Sequence, residues 1–269
     1  AYARGETPIP CIACNRGPKF SDLLGLAADL GAEALATGHY ARIVDGALGP
    51  ELHRAADLAR DQSYFLAHTT RAQLARLRFP LGGMTKPEVR GEAARLGLAV
   101  AEKPDSQDIC FVPQGSHAAV VARLRPDAVR PGDILHRDGR LLGRHRGLAH
   151  YTVGQAKGLG LDPQDGARLY VLRLDAAQNR VVVGPEAALG TREVALRDVN
   201  WLVEPAGEMR VSVKLRGREQ PRDALLRPAG AASAATLLLD TQATAAPGQA
   251  AVLYDGTRVL AGATIAAPL

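Results

Sequence analysis

Three cysteines fall in two short stretches of this sequence: Cys11-Ile12-Ala13-Cys14 near its start, and Asp105-Ser106-Gln107-Asp108-Ile109-Cys110-Phe111 further on. A thiol set between Ile109 and Phe111 suits burial, since free cysteine behaves as a small hydrophobe. Concentration into two motifs suggests thiol chemistry instead. A C-x-x-C pair has two familiar uses, zinc binding and thioredoxin-like redox exchange. A structural zinc needs four ligands, so all three cysteines and a histidine would be required, and nothing at ligand spacing supports that. The redox motif opens a helix after a strand, whereas Pro8 and Pro10 precede this pair. A third use joins Cys14 to Cys110 across the fold, one thiol carrying a transferable sulfur as a persulfide and the other resolving it into a disulfide. On local sequence, that use and inert burial rank level.

These residues need elements to hold them. The prolines of Thr7-Pro8-Ile9-Pro10 push their predecessors toward extended geometry, so residues 1 to 20 read as a loop. Ser21 is placed to cap a helix with Leu23, Leu24, Leu26, Ala27 and Leu30 on one face, closed by Gly31. Ala34-Leu35-Ala36 reads as a short buried strand ending in Thr37-Gly38-His39-Tyr40, an αβ unit of a parallel sheet. Ligands bind beyond the carboxyl ends of such strands, where His39 sits. Further helices are predicted over 71–77 and 86–96, the second after Thr85 with Pro87 in its first turn. A short strand at Ala99-Val100-Ala101 would then deliver the Cys110 motif. Past residue 115 the texture becomes β-rich, after a weak helix over 118–124. Turns at Arg137-Asp138-Gly139, Asp165-Gly166, Val183-Gly184-Pro185 and Asp255-Gly256 separate strand-like runs over 170–174, 180–183, 210–215, 250–254 and 258–260. Gly154-Gln155-Ala156-Lys157-Gly158-Leu159-Gly160 lacks the order of a phosphate loop and reads as a tight turn. Trp201 reads as a core anchor.

Bulk composition narrows the class. Hydrophobic residues at 46% and charged residues at 23% are those of a globular protein, and no apolar run approaches the roughly 20 residues of a membrane span. With three cysteines a disulfide scaffold is not expected, and a reducing, cytoplasmic setting is. The net charge of +5, carried mostly by arginine, is mild support for a polyanionic partner; a compositional bias toward Arg, Ala and Gly explains it equally well. The opening Ala-Tyr-Ala-Arg reads like the middle of a domain, so a missing N-terminal portion is expected.

Singly, His39 at a strand end and Asp61-Gln62-Ser63-Tyr64 in a polar loop are ordinary. In order, the motifs resemble one family. Pro-x-Pro-Cys-x-x-Cys-Asn with Lys19-Phe20, Ala36-Thr37-Gly38-His39-Tyr40, Asp61 to Leu66, Phe79-Pro80-Leu81-Gly82, Asp105 to Phe111, Gly143-x-His145-x-Gly147-Leu148, Tyr151 to Gln155 and Pro247-Gly248-Gln249-Ala250 look like the tRNA-specific 2-thiouridylases. The resemblance covers essentially the whole chain. It implies an α/β fold, the C-terminal part of a parallel-sheet adenine nucleotide hydrolase-like domain (1–114), then a small β-rich central domain (115–195) and a C-terminal β-barrel (196–269).

The resemblance further implies an enzyme that adenylates O2 of the wobble uridine of tRNA, using ATP with Mg2+, and delivers sulfur from a cysteine persulfide. Adenylation supplies a leaving group that the uracil carbonyl lacks, and the persulfide is a soft, strong nucleophile. Cys110 would carry the persulfide and Cys14 would release its sulfur, leaving a Cys14–Cys110 disulfide. Gly38 would line the adenosine pocket and His39 would stand near the base. Ile9, Pro10 and Cys11 would touch the flipped uridine; Arg60, Asp61, Gln62, Arg216 and Gln249 would meet tRNA. The partners implied are tRNA and a persulfide sulfur donor protein, with a monomer expected and no resident metal. Departures are present. The family's Ser-Gly-Gly-Val-Asp-Ser phosphate loop would lie upstream of Ala1, so this chain alone is expected not to adenylate. Cys11 stands where some relatives carry an aspartate, Ala156 replaces an arginine, Gly217 replaces an aromatic, and Leu260-Ala261-Gly262-Ala263 stands at a glycine run. The rival readings are a catalytically dead RNA-binding remnant and a zinc or redox thiol protein.

Overall fold

The computed structural model describes residues 1–102, 117–124, 129–161, 168–230 and 233–267. Cys110 and its motif lie outside them.

A single helical turn, Tyr2–Arg4, leads through an extended run to α1 (Pro10–Cys14). Helix α1 passes without a break into a π-helical stretch, Asn15–Asp22, and then into α2 (Leu23–Asp29). The loop expected over residues 1–20 and the cap expected at Ser21 are therefore corrected. Pro10 takes the first helical position, where its missing N–H costs nothing and its φ is already set. Ile9 before it is extended (φ −105°, ψ 101°), as a pre-proline residue should be. The prolines start this helix rather than forbid it. Pro18 falls in the widened π stretch, a place where a helix absorbs a missing donor. Ser21 donates to the Arg16 carbonyl (2.9 Å) from inside the helix. Gly31, at φ +71°, ends α2 as expected. Only Leu24 and Ala27 of the expected apolar face are buried; Leu23, Leu26 and Leu30 are exposed.

Strand β1 (Leu35–Ala36) exists but is short and not buried. The hairpin β2 (Ala41–Gly46) and β3 (Gly49–Arg54) follows, then α3 (Ser63–Leu66) and α4 (Arg71–Ala75), whose Thr70 and Gln73 form a capping box. Strand β4 (Leu77–Arg78) pairs parallel with β1, Leu35 against Leu77. Helix α5 (Lys86–Arg95) begins at a second capping box, Thr85 with Glu88. Residues 99–101 form a turn rather than a strand, closed by the Ala101 N–H on the Leu98 carbonyl (3.0 Å). Helix α6 is His117–Leu124.

The middle of the chain is a four-stranded sheet of β5 (Gly132–His136), β6 (Leu141–His145), β7 (Tyr170–Asp175) and β8 (Arg180–Gly184), ordered β6-β5-β8-β7. It packs on Ile134, Val171, Val181, Val183 and the Tyr151 ring. The Gly-rich run after Tyr151 is a turn-rich loop with Gly154, Gly158 and Gly160 at positive φ.

Six strands then close a barrel: β9 (Thr191–Trp201), β10 (Met209–Lys214), β11 (Arg222–Pro228), β12 (Ala235–Ala243), β13 (Ala250–Asp255) and β14 (Arg258–Ile265), in the order β13-β10-β11-β12-β9-β14 with β13 paired to β14. Closure removes the exposed edges of an open sheet. Strand β9 begins at Thr191 and runs across the 195/196 boundary drawn from sequence. The β2–β3 hairpin joins the outside of this barrel, with His53 opposite Arg258. Strand β13 is buried on both faces. Ala251 and Leu253 point into the barrel core, whereas Ala250, Val252 and Tyr254 join a second core with Phe20, Leu52, Tyr64, Leu74 and Phe79. The α/β unit thus completes its core on the barrel's outer wall. Close approach there constrains Gly262, where a Cβ would sit 2.6 Å from the Ala67 carbonyl oxygen.

Candidate functional site

Ile9 and Pro10 open α1, and Cys11 and Cys14 lie on it, all partly exposed. The neighbour of Cys14 fixes the helix. Asn15 is 4% exposed and its side-chain amide donates to the Phe65 carbonyl (3.0 Å), tying the thiol helix to α3. Phe20, fully buried one turn further on, meets the His39 ring edge-on at 5.8 Å. Phe79 meets that ring as well, also at 5.8 Å, and lies 6.4 Å from Phe20, so the three rings form one cluster.

His39 follows β1, where the strand's carboxyl end was expected to hold a ligand-binding group. Its Nδ1 lies 2.6 Å from the Thr37 hydroxyl. Burial, then the Lys19 ammonium, pushes its pKa down to about 4. The imidazole is therefore neutral at neutral pH, with Nδ1 engaged by Thr37 and Nε2 without a hydrogen bond among the described residues. Gly38 beside it is exposed. A Cβ there would make an ordinary 3.5 Å contact with Leu81, so crowding does not demand glycine at that position.

The Arg60–Gln62 loop is locked to the same place. The Gln62 side-chain oxygen accepts from the Tyr40 N–H (2.9 Å), and the Tyr40 carbonyl accepts from the Gln62 N–H (2.8 Å). Asp61 has a side chain only 1% exposed. Its carboxylate accepts from Arg54 Nε (3.1 Å), the Ala55 N–H (3.2 Å), the Ser63 N–H (3.1 Å) and the Ser63 hydroxyl (3.0 Å). Both oxygens are spent inside the protein, so what this side chain offers a partner is the shape of the loop. Arg60 is exposed.

Gln249, on the loop before β13, donates to the Thr7 carbonyl (2.8 Å), pinning the run that enters α1. Arg216 stands in the turn after β10. Its guanidinium reaches the Val153 carbonyl (3.5 Å) and lies over Gly154, where a Cβ would be 2.6 Å from it. The space next to Gly217 is filled by the Phe65 and Tyr64 rings, 3.2 and 3.3 Å from where a Cβ would be. The structure therefore gathers Ile9, Pro10, Cys11, Cys14, His39, Gln62 and Gln249 into one connected region, with Arg216 at the contact of barrel and middle sheet. Cys110 lies outside the described residues.

Sequence reasoning assigned no role to Asn15, Thr37, Phe20 or Phe79, although all four stood in quoted motifs. A buried-polar or aromatic role needs the partner, and each partner is distant in sequence. A cleft of about 840 Å³ was also missed. It lies between the Ile12, Ala13 and Arg16 side of the helix and Arg197 of β9, and neither cysteine lines it. His68 lines it too, its pKa lowered by burial and then by Arg16.

Comparison with known proteins adds names to this geometry. Family models match along the chain: a tRNA methyl transferase HUP domain over 1–114, a tRNA methyl transferase PRC-barrel domain over 120–185, and an aminomethyltransferase beta-barrel domain over 191–265. A protein of Acidiphilium cryptum named tRNA-specific 2-thiouridylase MnmA is 58% identical over 268 residues, covering 98% of this chain and 75% of that protein. Proteins of the same name from Gluconobacter oxydans and Rhodospirillum centenum are each 54% identical, over 99% and 98% of this chain and 76% and 69% of their own lengths.

Proposed function

The chain belongs to the tRNA-specific 2-thiouridylase MnmA family, and from that premise we propose that it works in 2-thiolation of the wobble uridine of tRNA, with Cys14 and Cys110 as the two working thiols. The observation that carries this reading is the setting of Cys14. It is a partly exposed thiol on a helix whose next residue is bolted to the Gln62–Leu66 segment and whose Phe20 packs on His39.

ATP enters as a substrate that turns the uridine O2 into a leaving group. Gly38, exposed at the carboxyl end of β1, is the neighbour this chain offers to adenosine. Among the described residues there is no glycine-rich phosphate loop, so the steps assigned to this chain begin with the activated uridine. The terminal sulfur of a Cys110 persulfide attacks C2 and AMP departs with its electron pair. The Cys14 thiolate then attacks the Cys110 sulfur. The S–S bond breaks toward the nucleoside, which leaves as 2-thiouridine, and a Cys14–Cys110 disulfide remains. An external thiol reductant restores both thiols, and a persulfide donor protein reloads Cys110. His39, neutral and held through Nδ1, presents Nε2 to the extruded base. Arg60 and Arg216 face the RNA backbone, and the Asp61 side chain shapes the loop that carries Arg60 and Gln62.

Peptide mapping after a single turnover of the full-length protein tests the two-thiol step. The expected result is a Cys14–Cys110 disulfide peptide in amount equal to the 2-thiouridine formed. Thiouridine formed without that peptide, in the absence of reductant, would show that another group releases the sulfur.

A further inference from the structure

The extended run that enters the thiol helix is held by the barrel and the middle sheet together, and the two holds meet at Thr7. On the barrel side, the Thr7 N–H donates to the Pro247 carbonyl (2.8 Å), and the Thr7 carbonyl accepts from Gln249 Nε2 (2.8 Å). One residue earlier the buried Glu6 carboxylate accepts from Arg197 of β9 (3.0 Å). The approach is close: a Cβ at Gly248 would lie 2.9 Å from the Thr7 nitrogen. On the side of the middle sheet, the Thr7 hydroxyl donates to the Thr152 hydroxyl (3.2 Å). Thr152 follows Tyr151, whose side chain belongs to the core of that sheet. A Cβ at Gly5 would lie 2.8 Å from the carbonyl oxygen of Leu174 in β7. All three polar groups of Thr7 are therefore engaged, two by the barrel and one by the middle sheet.

Only Pro8, Ile9 and Pro10 separate Thr7 from Cys11. Each proline has its φ fixed by its ring and confines the residue before it, so the link is stiff and transmits a displacement rather than absorbing it. The Ile12 N–H, bonded to the Ile9 carbonyl (3.1 Å), joins that link to the first turn of α1. Beyond Cys14 the helix is held by the α/β unit, through Asn15 on the Phe65 carbonyl (3.0 Å). Cys14 thus stands between an anchor on α3 and an anchor at Thr7. We infer that Thr7 is a positioning residue that sets where the Cys14 thiol stands by bonding to the barrel and the middle sheet at once. The consequence for sulfur transfer rests on the function proposed above, whereas the anchoring of the helix does not.

The test uses three variants of the full-length protein. Thr7→Val keeps the branched shape and loses the hydroxyl, Thr152→Val removes the acceptor, and Thr7→Ser keeps the hydroxyl. In Thr7→Val and in Thr152→Val the kcat for 2-thiouridine formation should fall about tenfold, with the KM for tRNA and the melting temperature kept, the signature of a misplaced reacting group. Thr7→Ser should stay within about twofold of the wild type, since its hydroxyl can still donate. The double variant Thr7→Val/Thr152→Val should lose no more than either single variant, because one contact is removed in all three. Backbone amide exchange at Thr7 and Ile12 should quicken about fivefold in Thr152→Val, which leaves both residues unaltered. Wild-type kcat in Thr7→Val and Thr152→Val overturns the inference, as does a Thr7→Ser variant as slow as Thr7→Val. Unchanged exchange at both amides in Thr152→Val overturns the anchoring even if Thr7→Val does not fold. Wild-type protein that forms no 2-thiouridine would defeat the tRNA reading, while the exchange data still decide the anchoring.

Discussion

The barrel and the α/β unit are built on opposite terms. In the barrel every strand is hydrogen-bonded on both sides, and inward residues such as Val211, Val213, Leu226, Leu237 and Leu253 form one continuous core. The α/β unit pairs two strands of two residues each, leaves Leu26, Leu30 and Leu96 exposed, and borrows Val252, Tyr254 and Val259 of the barrel for its core. All of the described candidate thiols and His39 lie in the less self-sufficient region. The barrel supplies rigidity, and the site is assembled against it.

If the cores are mechanically joined, damage to either should unfold both. Leu237→Ala in the barrel core and Leu74→Ala in the shared core should each cost about 2–5 kcal/mol and still give one unfolding transition followed by fluorescence and circular dichroism. Two separated transitions would break the picture of a shared core.

A second effect belongs to the α/β unit alone. His39 is depressed to about 4 in the folded state against an ordinary 6.5. The unfolded chain therefore binds more protons between those values, and stability falls as pH drops through that window. The loss is about 2 kcal/mol between pH 7 and 4 after allowance for partial exposure. Denaturant titrations should show a shallower pH dependence in His39→Phe; an unchanged slope would mean that the ring is not buried as described.

Legibility in the sequence divided along similar lines. Strand β13 was readable because Ala250 to Tyr254 is an unbroken apolar run, the mark of a strand buried on both faces. Helix α5 was readable from Thr85 before it and Pro87 in its first turn. Strands β9 and β12 were passed over because charged or polar residues alternate with their buried ones, and turn signals rather than periodicity had guided the reading. The helix that carries the cysteines was missed because prolines were weighed as breakers when one of them was a starter. At the site, the motifs named loops that the fold brings together. What they could not show was that Gln249 reaches Thr7, that Asn15 reaches Phe65, or that the Asp61 carboxylate is consumed inside the fold. Those contacts depend on long-range packing.

Smaller effects sharpen the comparison. Asn15→Ala leaves the Phe65 carbonyl without its side-chain donor and should cost about 1–2 kcal/mol by chemical denaturation, with a larger proportional loss of thiolation than Leu237→Ala after correction for folded fraction. Arg60→Ala removes an exposed charge and should alter stability by no more than about 0.5 kcal/mol, while lowering the salt dependence of tRNA binding by about one unit of slope in filter-binding titrations. An unaltered slope would remove Arg60 from the RNA contacts.

The most direct test of the proposed function is the 2-thiouridine content of tRNA after incubation with the full-length protein, ATP and a persulfide donor, read by nucleoside mass spectrometry for wild type and Cys14→Ser side by side. The account predicts 2-thiouridine at the wobble position with the wild type and less than about one hundredth of that rate with Cys14→Ser, whose melting temperature stays that of the wild type. Equal rates for the two proteins would contradict it.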